Sequence, residues 1–303
     1  MARMQARVRN PAGRKFDRTE EDLGNVVALE HVNVRVPDQR LATLYYITGL
    51  GLTRDPYLMT SIDNMWVNVG RSQFHLPTGE PQILRGQTGL VIPDRGALLK
   101  RLEDVAPKLS GTRFSFTAHN GYVDTTCPWG NAIRCFEPGP DYPGMQLGMP
   151  YVQLDVPRGA AAPIADYCHK ILGTRAEVRQ DDGSPTACVH VGPGQEVRYR
   201  ESSSAIPAYD GHHIAIYIAD FSGPYRRLLE RGLVSMESNQ HEYRFIDILD
   251  LGSSKPVFQL EHEVRSMRHP LYARPLVNRN PSQSNRAFAP GYETMNWAQP
   301  YAM

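Results

Sequence analysis

Two histidines open strand-like stretches, His31 in LEHVNVRVPD and His213 in HIAIYIAD. Alternation along the first puts Leu29, His31, Asn33 and Arg35 on one face and Val32, Val34 and Val36 on the other. Two further stretches match these openings, QTGLVIPD from Gln87 and YVQLDVPR from Tyr151. Each opening has a partner strand later in the chain: SQFHLP, NAIRCF, QEVRYR and FQLEHE. Aligned, the fourth position of these holds His75, Arg134, Arg198 and Glu261. The intervals His31 to His75, Gln87 to Arg134, Tyr151 to Arg198 and His213 to Glu261 are 44, 47, 47 and 48 residues. Imidazole nitrogen and carboxylate oxygen are ligands for divalent Fe, Mn, Ni, Co or Zn, whereas guanidinium repels a cation. Ligand types therefore fall only in the first and fourth sets.

The elements that must position these residues repeat four times. Each opening strand is followed by a stretch with apolar residues at three- and four-residue steps, as in QRLATLYYITGLG, RGALLKRLEDVAPKL, AAPIADYCHKILG and FSGPYRRLLERG. Two or three strand-like runs follow each. The spacing predicts four βαβββ modules, roughly 26–80, 86–140, 149–202 and 210–265. Modules one and two make one domain, 26–145, and modules three and four another, 146–268. Residues 1–25 read as an arm that lacks the apolar core of a secretory signal. Residues 269–303, rich in Pro, Asn and Ser, read as an extended tail. Its aromatic residues Tyr292, Trp297 and Tyr301 suggest contact with another surface.

Composition sets the class. The 303 residues are 41% apolar with formal net charge +1, and no basic stripe points to nucleic acid. No apolar run is long enough for a membrane span. Cys127, Cys135, Cys168 and Cys188 form no CxxC pair, which suits reduced thiols in a cytoplasmic protein.

The four modules in register resemble the vicinal oxygen chelate (VOC) superfamily, which includes glyoxalase I and the extradiol dioxygenases. The resemblance rests on HVNVRVPD and HIAIYIAD as opening strands and FQLEHE as a closing strand, and covers about residues 26 to 265. It implies an α+β fold of two tandem domains whose mostly antiparallel sheets curl into cups. It also implies one divalent metal per cup, held by first and last strands of two modules, that chelates neighbouring oxygens of a small-molecule substrate. Pairing modules three and four supplies only His213 and Glu261, and pairing one and two supplies only His31 and His75. Pairing one with four gathers His31, His75, His213 and Glu261. Single-chain tandem glyoxalases pair modules in this way, and a homodimer with swapped modules would do the same.

Several neighbours of this quartet are candidates to assist it. Gln259 shares a strand face with Glu261, while His212 and His262 point away from it. Asn33, Gln73, Trp66 and Tyr217 are candidate substrate contacts, and His241 and Tyr243 are candidate catalytic groups. Arg134 and Arg198 would pair with carboxylates such as Asp155 or grip an anion.

Three readings of function follow from the resemblance, beside a less specific fourth, a structural or partner-binding protein that uses its tail. An Fe(II) oxygenase is favoured by the three-His balance. A glyoxalase-like isomerase or a lyase using Zn or Ni commonly has two Glu ligands, and His75 takes the place of one. A metal-free binding protein would not need the quartet.

Overall fold

The computed structural model describes residues 17–58 and 62–278. The expected arm up to residue 16, and the tail from 279 with Tyr292, Trp297 and Tyr301, lie outside the described residues.

Module one comprises β1 (Val26–Asn33), α1 (Gln39–Ala42, continuing as a π-helical turn Thr43–Gly49), β2 (Thr53–Arg54), β3 (Asn64–Val69) and β4 (Ser72–Pro77). Module two has β5 (Gly86–Val91), α2 (Arg95–Val105), β6 (Ser115–Ala118), β7 (Tyr122–Thr126) and β8 (Ala132–Phe136). Module three has β9 (Gly148–Pro157), α3 (Ala161–Tyr167), β10 (Ala176–Asp181), β11 (Ser184–Gly192) and β12 (Gln195–Ser202). Module four has β13 (His213–Ile218), α4 (Ser222–Leu229), β14 (Val234–Asn239), β15 (Glu242–Asp250) and β16 (Lys255–Ser266). In modules one, two and four an Asp after the opening strand caps the helix start, and in module three Glu201 of β12 accepts from the Ala161 amide instead. Asp38 accepts from the amides of Arg40 and Leu41, Asp94 from Ala97 and Asp220 from Gly223, so each satisfies donors that a helix start leaves free.

The sixteen strands form two eight-stranded mixed sheets, the α+β architecture expected. One runs β14-β15-β16-β13-β1-β4-β3-β2 and the other β10-β11-β12-β9-β5-β8-β7-β6. Modules one and four share the first sheet, joined by the antiparallel pair β1 and β13, and modules two and three share the second. Each sheet thus draws on both halves of the chain, and the sequence boundary near 145 falls between two strands of one sheet.

Within a module the first and last strands run parallel, which sets their side chains in fixed register. Leu29, Val32, Ile214, Ile216, Phe74 and Phe245 are buried in the common core. Ties cross from one sheet to the other. Tyr167 Oη donates to the Asp247 carbonyl at 3.2 Å, and Gln195 Nε2 donates to Ser72 Oγ at 2.9 Å. All four cysteines are buried and free.

Strict alternation in the first strand is broken. The β1–β13 register pairs Leu29 with Ile216 and His31 with Ala215, leaving Glu30 as an extra residue in a bulge. Leu29 therefore shares the core face with Val32, not the His31 face expected from the sequence. Gln195 Oε1 accepts from the Leu29 amide and Ser72 Oγ donates to its carbonyl, so the distorted segment keeps its hydrogen bonds.

Candidate metal centre

The inward face of the first sheet collects residues from modules one and four. Asn33 of β1 has His75 of β4 as its neighbour on one side and His213 of β13 on the other. His31, two residues earlier, lies on the same face. Ligand nitrogens of His31, His75 and His213 all lie within 4.8 Å of one another. His31 Nε2 and His213 Nε2 are 3.5 Å apart. Two nitrogens bound tetrahedrally to one ion at ordinary Zn–N length would be about 3.4 Å apart.

Each ring is held by a partner on its other side. His31 is fully buried, and its Nδ1 is 3.0 Å from Glu30 Oε2. The bulge makes this contact by placing Glu30 beside His31. His213 Nδ1 is 3.4 Å from Glu261 Oε1. His75 Nε2 lies 2.7 Å from Asn64 Oδ1, and its ring stacks on Trp66 at 3.8 Å. A carboxylate or amide oxygen on one ring nitrogen fixes the tautomer and leaves the other lone pair to the metal.

For the fourth position the strand register offers Glu263 beside the Glu261 expected from sequence. Gln87 pairs with Ala132 and Tyr151 with Glu196, so Arg134 and Arg198 each lie two residues beyond the partner of their opening residue. His31 likewise pairs with Gln73, two residues before His75. His213 pairs with Glu261, so the equivalent position in module four is Glu263. The residue aligned from sequence lies two short of that position because β16, at twelve residues, is longer than β4, β8 and β12, so its hexapeptide does not mark the same level. Glu263 is 2% exposed, and its Oε2 lies 3.5 Å from His213 Nε2, the nitrogen that faces His31. Glu263 also forms a close group with Glu30 and His31, whereas Glu261 joins no ligand group among the described residues. Glu261 instead lies against the outer nitrogen of His213, as Glu30 lies against that of His31.

Electrostatics favour a cation here. Arg244 reaches Glu242, Glu261 and Glu263, and Arg265 pairs with Glu30, Glu242 and Glu263. Four carboxylates face two guanidiniums, a formal excess of two negative charges that one divalent ion would balance. Burial pushes the Glu30 carboxyl up, but the His31 hydrogen bond and the Arg265 charge bring it below its ordinary value. Glu263 is likewise opposed by burial, yet the His213 contact and the arginines hold it far below the carboxylate range. Burial, then the neighbouring His31 and His213, push His75 down to about 2. Burial also lowers His213, against the pull of Glu263. Neutral imidazoles beside ionised carboxylates are the protonation states that metal binding needs. Asn33 Oδ1 is buried among these groups with no hydrogen-bond partner. Such an orphan is uncommon and suits a site that takes a further occupant.

The remaining sequence candidates divide. Trp66 packs edge-on to His31 at 4.9 Å between ring centres. Tyr217 Oη donates to Glu30 Oε1 at 3.0 Å. Gln73 donates to Asn68 at 2.6 Å and to Asp55 at 3.2 Å. Tyr243 does not join the cluster. It alternates with Glu242 and Arg244 along β15, so its ring is buried on the other face with Phe221 and Tyr225. His241 lies just before β15; its amide donates to Asn239, and no contact joins its ring to the cluster among the described residues. Gln259 donates to Asp247, His212 is buried beside Asp210, and His262 stacks on Phe245 in the core.

Among the described residues the second sheet holds no such set. Arg134 makes two bonds to Asp124, at 2.7 and 3.1 Å, and Arg198 Nε donates to Glu196 at 2.9 Å. The carboxylate Asp155 pairs with Arg200 instead. Sequence reading missed Glu30, Arg244 and Arg265. Charges on a strand resemble a solvated face, although three glutamates and two arginines in EYR and EHEVR offered a signal.

Comparison with solved structures agrees with this architecture. A candidate dioxygenase of Bacillus subtilis superposes with TM-score 0.54 at 15% identity, covering 81% of this chain and 86% of its own. Glyoxalase I of Zea mays gives TM-score 0.54 at 12% identity, covering 79% and 92%. The chain shares the fold of these two structures, with the four repeated modules expected from sequence. No family model matches the sequence, and no curated protein matches it. No helix among the described residues is long and apolar enough to cross a membrane.

Proposed function

We infer that this chain is a divalent-metal enzyme of the VOC type, and that it is an Fe(II) oxygenase for a small substrate chelated through adjacent oxygens. The observation that carries the reading is the convergence of His31, His75 and His213 within 4.8 Å, with Glu263 beside His213. The metal, when bound, would polarise the chelated oxygens and supply the redox chemistry. His31, His75, His213 and Glu263 would hold it.

Other residues prepare the site. Glu30 and Glu261 keep the Nδ1 protons of His31 and His213 in place. Asn33 Oδ1 would accept a hydrogen bond from a substrate hydroxyl. Trp66 and the buried surroundings of His31 exclude water from one side. Arg265 and Arg244 help to hold Glu30 and Glu263 ionised, so a proton leaving the substrate is not captured by these two carboxylates.

The test is purification without oxygen, elemental analysis, and reconstitution with Fe(II), Zn or Ni. Oxygen uptake is then screened with small phenols, enols and 2-oxo acids. The reading expects uptake that needs Fe(II). Turnover under nitrogen with Zn or Ni would overturn it in favour of an isomerase or lyase.

A further inference from the structure

Beside the histidine cluster lies a cavity of about 680 Å³, walled by β1, the β3–β4 turn, the segment before β9 and residues 271–276. That volume is in the range of small-molecule sites. Val27, Met149, Leu271 and Leu276 give it a largely apolar wall. Glu30 and Tyr217 also line it, and Glu30 is the residue that orients His31. By strand register the cavity lies at the level of residues 27–30 of β1, next to the 31–33 level of the histidines. Residues 271–278 are tied across this side. Arg274 bonds Asp55 at 2.7 Å, and the Asn278 side chain bonds both the amide and the carbonyl of Gly70.

Three charged residues line the cavity. Glu30 is matched by Arg265, and Arg274 by Asp55. Arg71, exposed at the β3–β4 turn, has no acidic partner among the described residues. The uncompensated charge is therefore positive. We propose that this cavity binds the body of the ligand, an apolar or aromatic molecule carrying a carboxylate that pairs with Arg71. The proposal rests on and deepens the functional reading above, because the cavity is lined by Glu30, the carboxylate that lies against His31. Its test does not depend on the metal.

The test is calorimetric titration of the chelator-treated full chain with 3-phenylpropionate and with 3-phenylpropan-1-ol. The acid is expected to bind about five- to tenfold more tightly than the alcohol at low salt, the effect of one surface charge pair. Arg71→Gln removes this preference and Arg71→Lys retains it. Val27→Trp fills the cavity and abolishes binding of both. Leu276→Trp, outside the sheets, fills it from the other side should the strand variant fail to fold. No binding of the acid, equal binding of acid and alcohol, or a preference untouched by Arg71→Gln overturns the proposal, as does unchanged binding when the cavity is filled. Metal content is measured on untreated samples of the same variants. Metal absent with the acid preference intact overturns only the functional reading, and the reverse result overturns only this one.

Discussion

At the scale of residues, the account turns on which glutamate binds and which glutamates orient. Glu263 faces the nitrogen of His213 that points to His31, while Glu261 and Glu30 face the outer nitrogens. Glu263→Gln should therefore weaken metal binding by more than about 100-fold, and Glu30→Gln or Glu261→Gln by about 10- to 100-fold, as for groups that only orient a ligand. Competition with a chromophoric chelator gives these numbers, and equal losses in all three variants would remove the distinction. The same residues set an acid limit for the metal-free chain. His75 is held down to about 2 against an ordinary 6.5, so below pH 6.5 the unfolded chain takes a proton that the folded chain refuses. Glu263, whose ordinary value is 4.5, adds the same penalty at lower pH because its folded form stays ionised. The urea midpoint should fall steadily from pH 7 through 5.5 to 4; a flat profile would contradict these environments.

At the scale of elements, parallel register and one bulge decide what meets what. Opening and closing strands were legible because a polar residue recurs at the same point in four alternating segments. The two-residue offset in module four was not, since the length of β16 is free to vary while its pairing with β13 is not. Nor was the bulge at Glu30, which depends on Gln195 and Ser72 from distant segments to satisfy Leu29. Tyr243 was misplaced because strand alternation was not carried through β15 from Arg244. The turn between β3 and β4 offers an independent check. Gly70 has φ +61°, and a Cβ there would run into the Leu147 carbonyl before β9. Gly70→Ala should cost about 1–3 kcal/mol from backbone strain alone, read from urea unfolding. A neutral result would mean that the turn is not pressed against the second sheet as described.

At the scale of the molecule, modules two and three are inserted between the two that build the metal centre. The pairing of module one with module four was legible by elimination, since only those two carry ligand types. That elimination needed the resemblance to VOC proteins; composition alone gave a globular chain and no site. A consequence is that neither half is sufficient. Residues 26–145 carry His31 and His75, and residues 146–268 carry His213 and Glu263. Each half expressed alone should bind metal far more weakly than the full chain, as measured by equilibrium dialysis. Tight binding by the first half alone would show that module four is not needed.

The central claim is that one ion is held between the first and fourth modules of a single chain. Elemental analysis of the full chain, purified without oxygen beside His31→Ala and His213→Ala, tests it most directly. The account predicts one divalent metal per chain in the unaltered protein and almost none in either variant, with all three folded by circular dichroism. Metal-free unaltered protein after incubation with Fe(II), or the same metal content in all three, would contradict it.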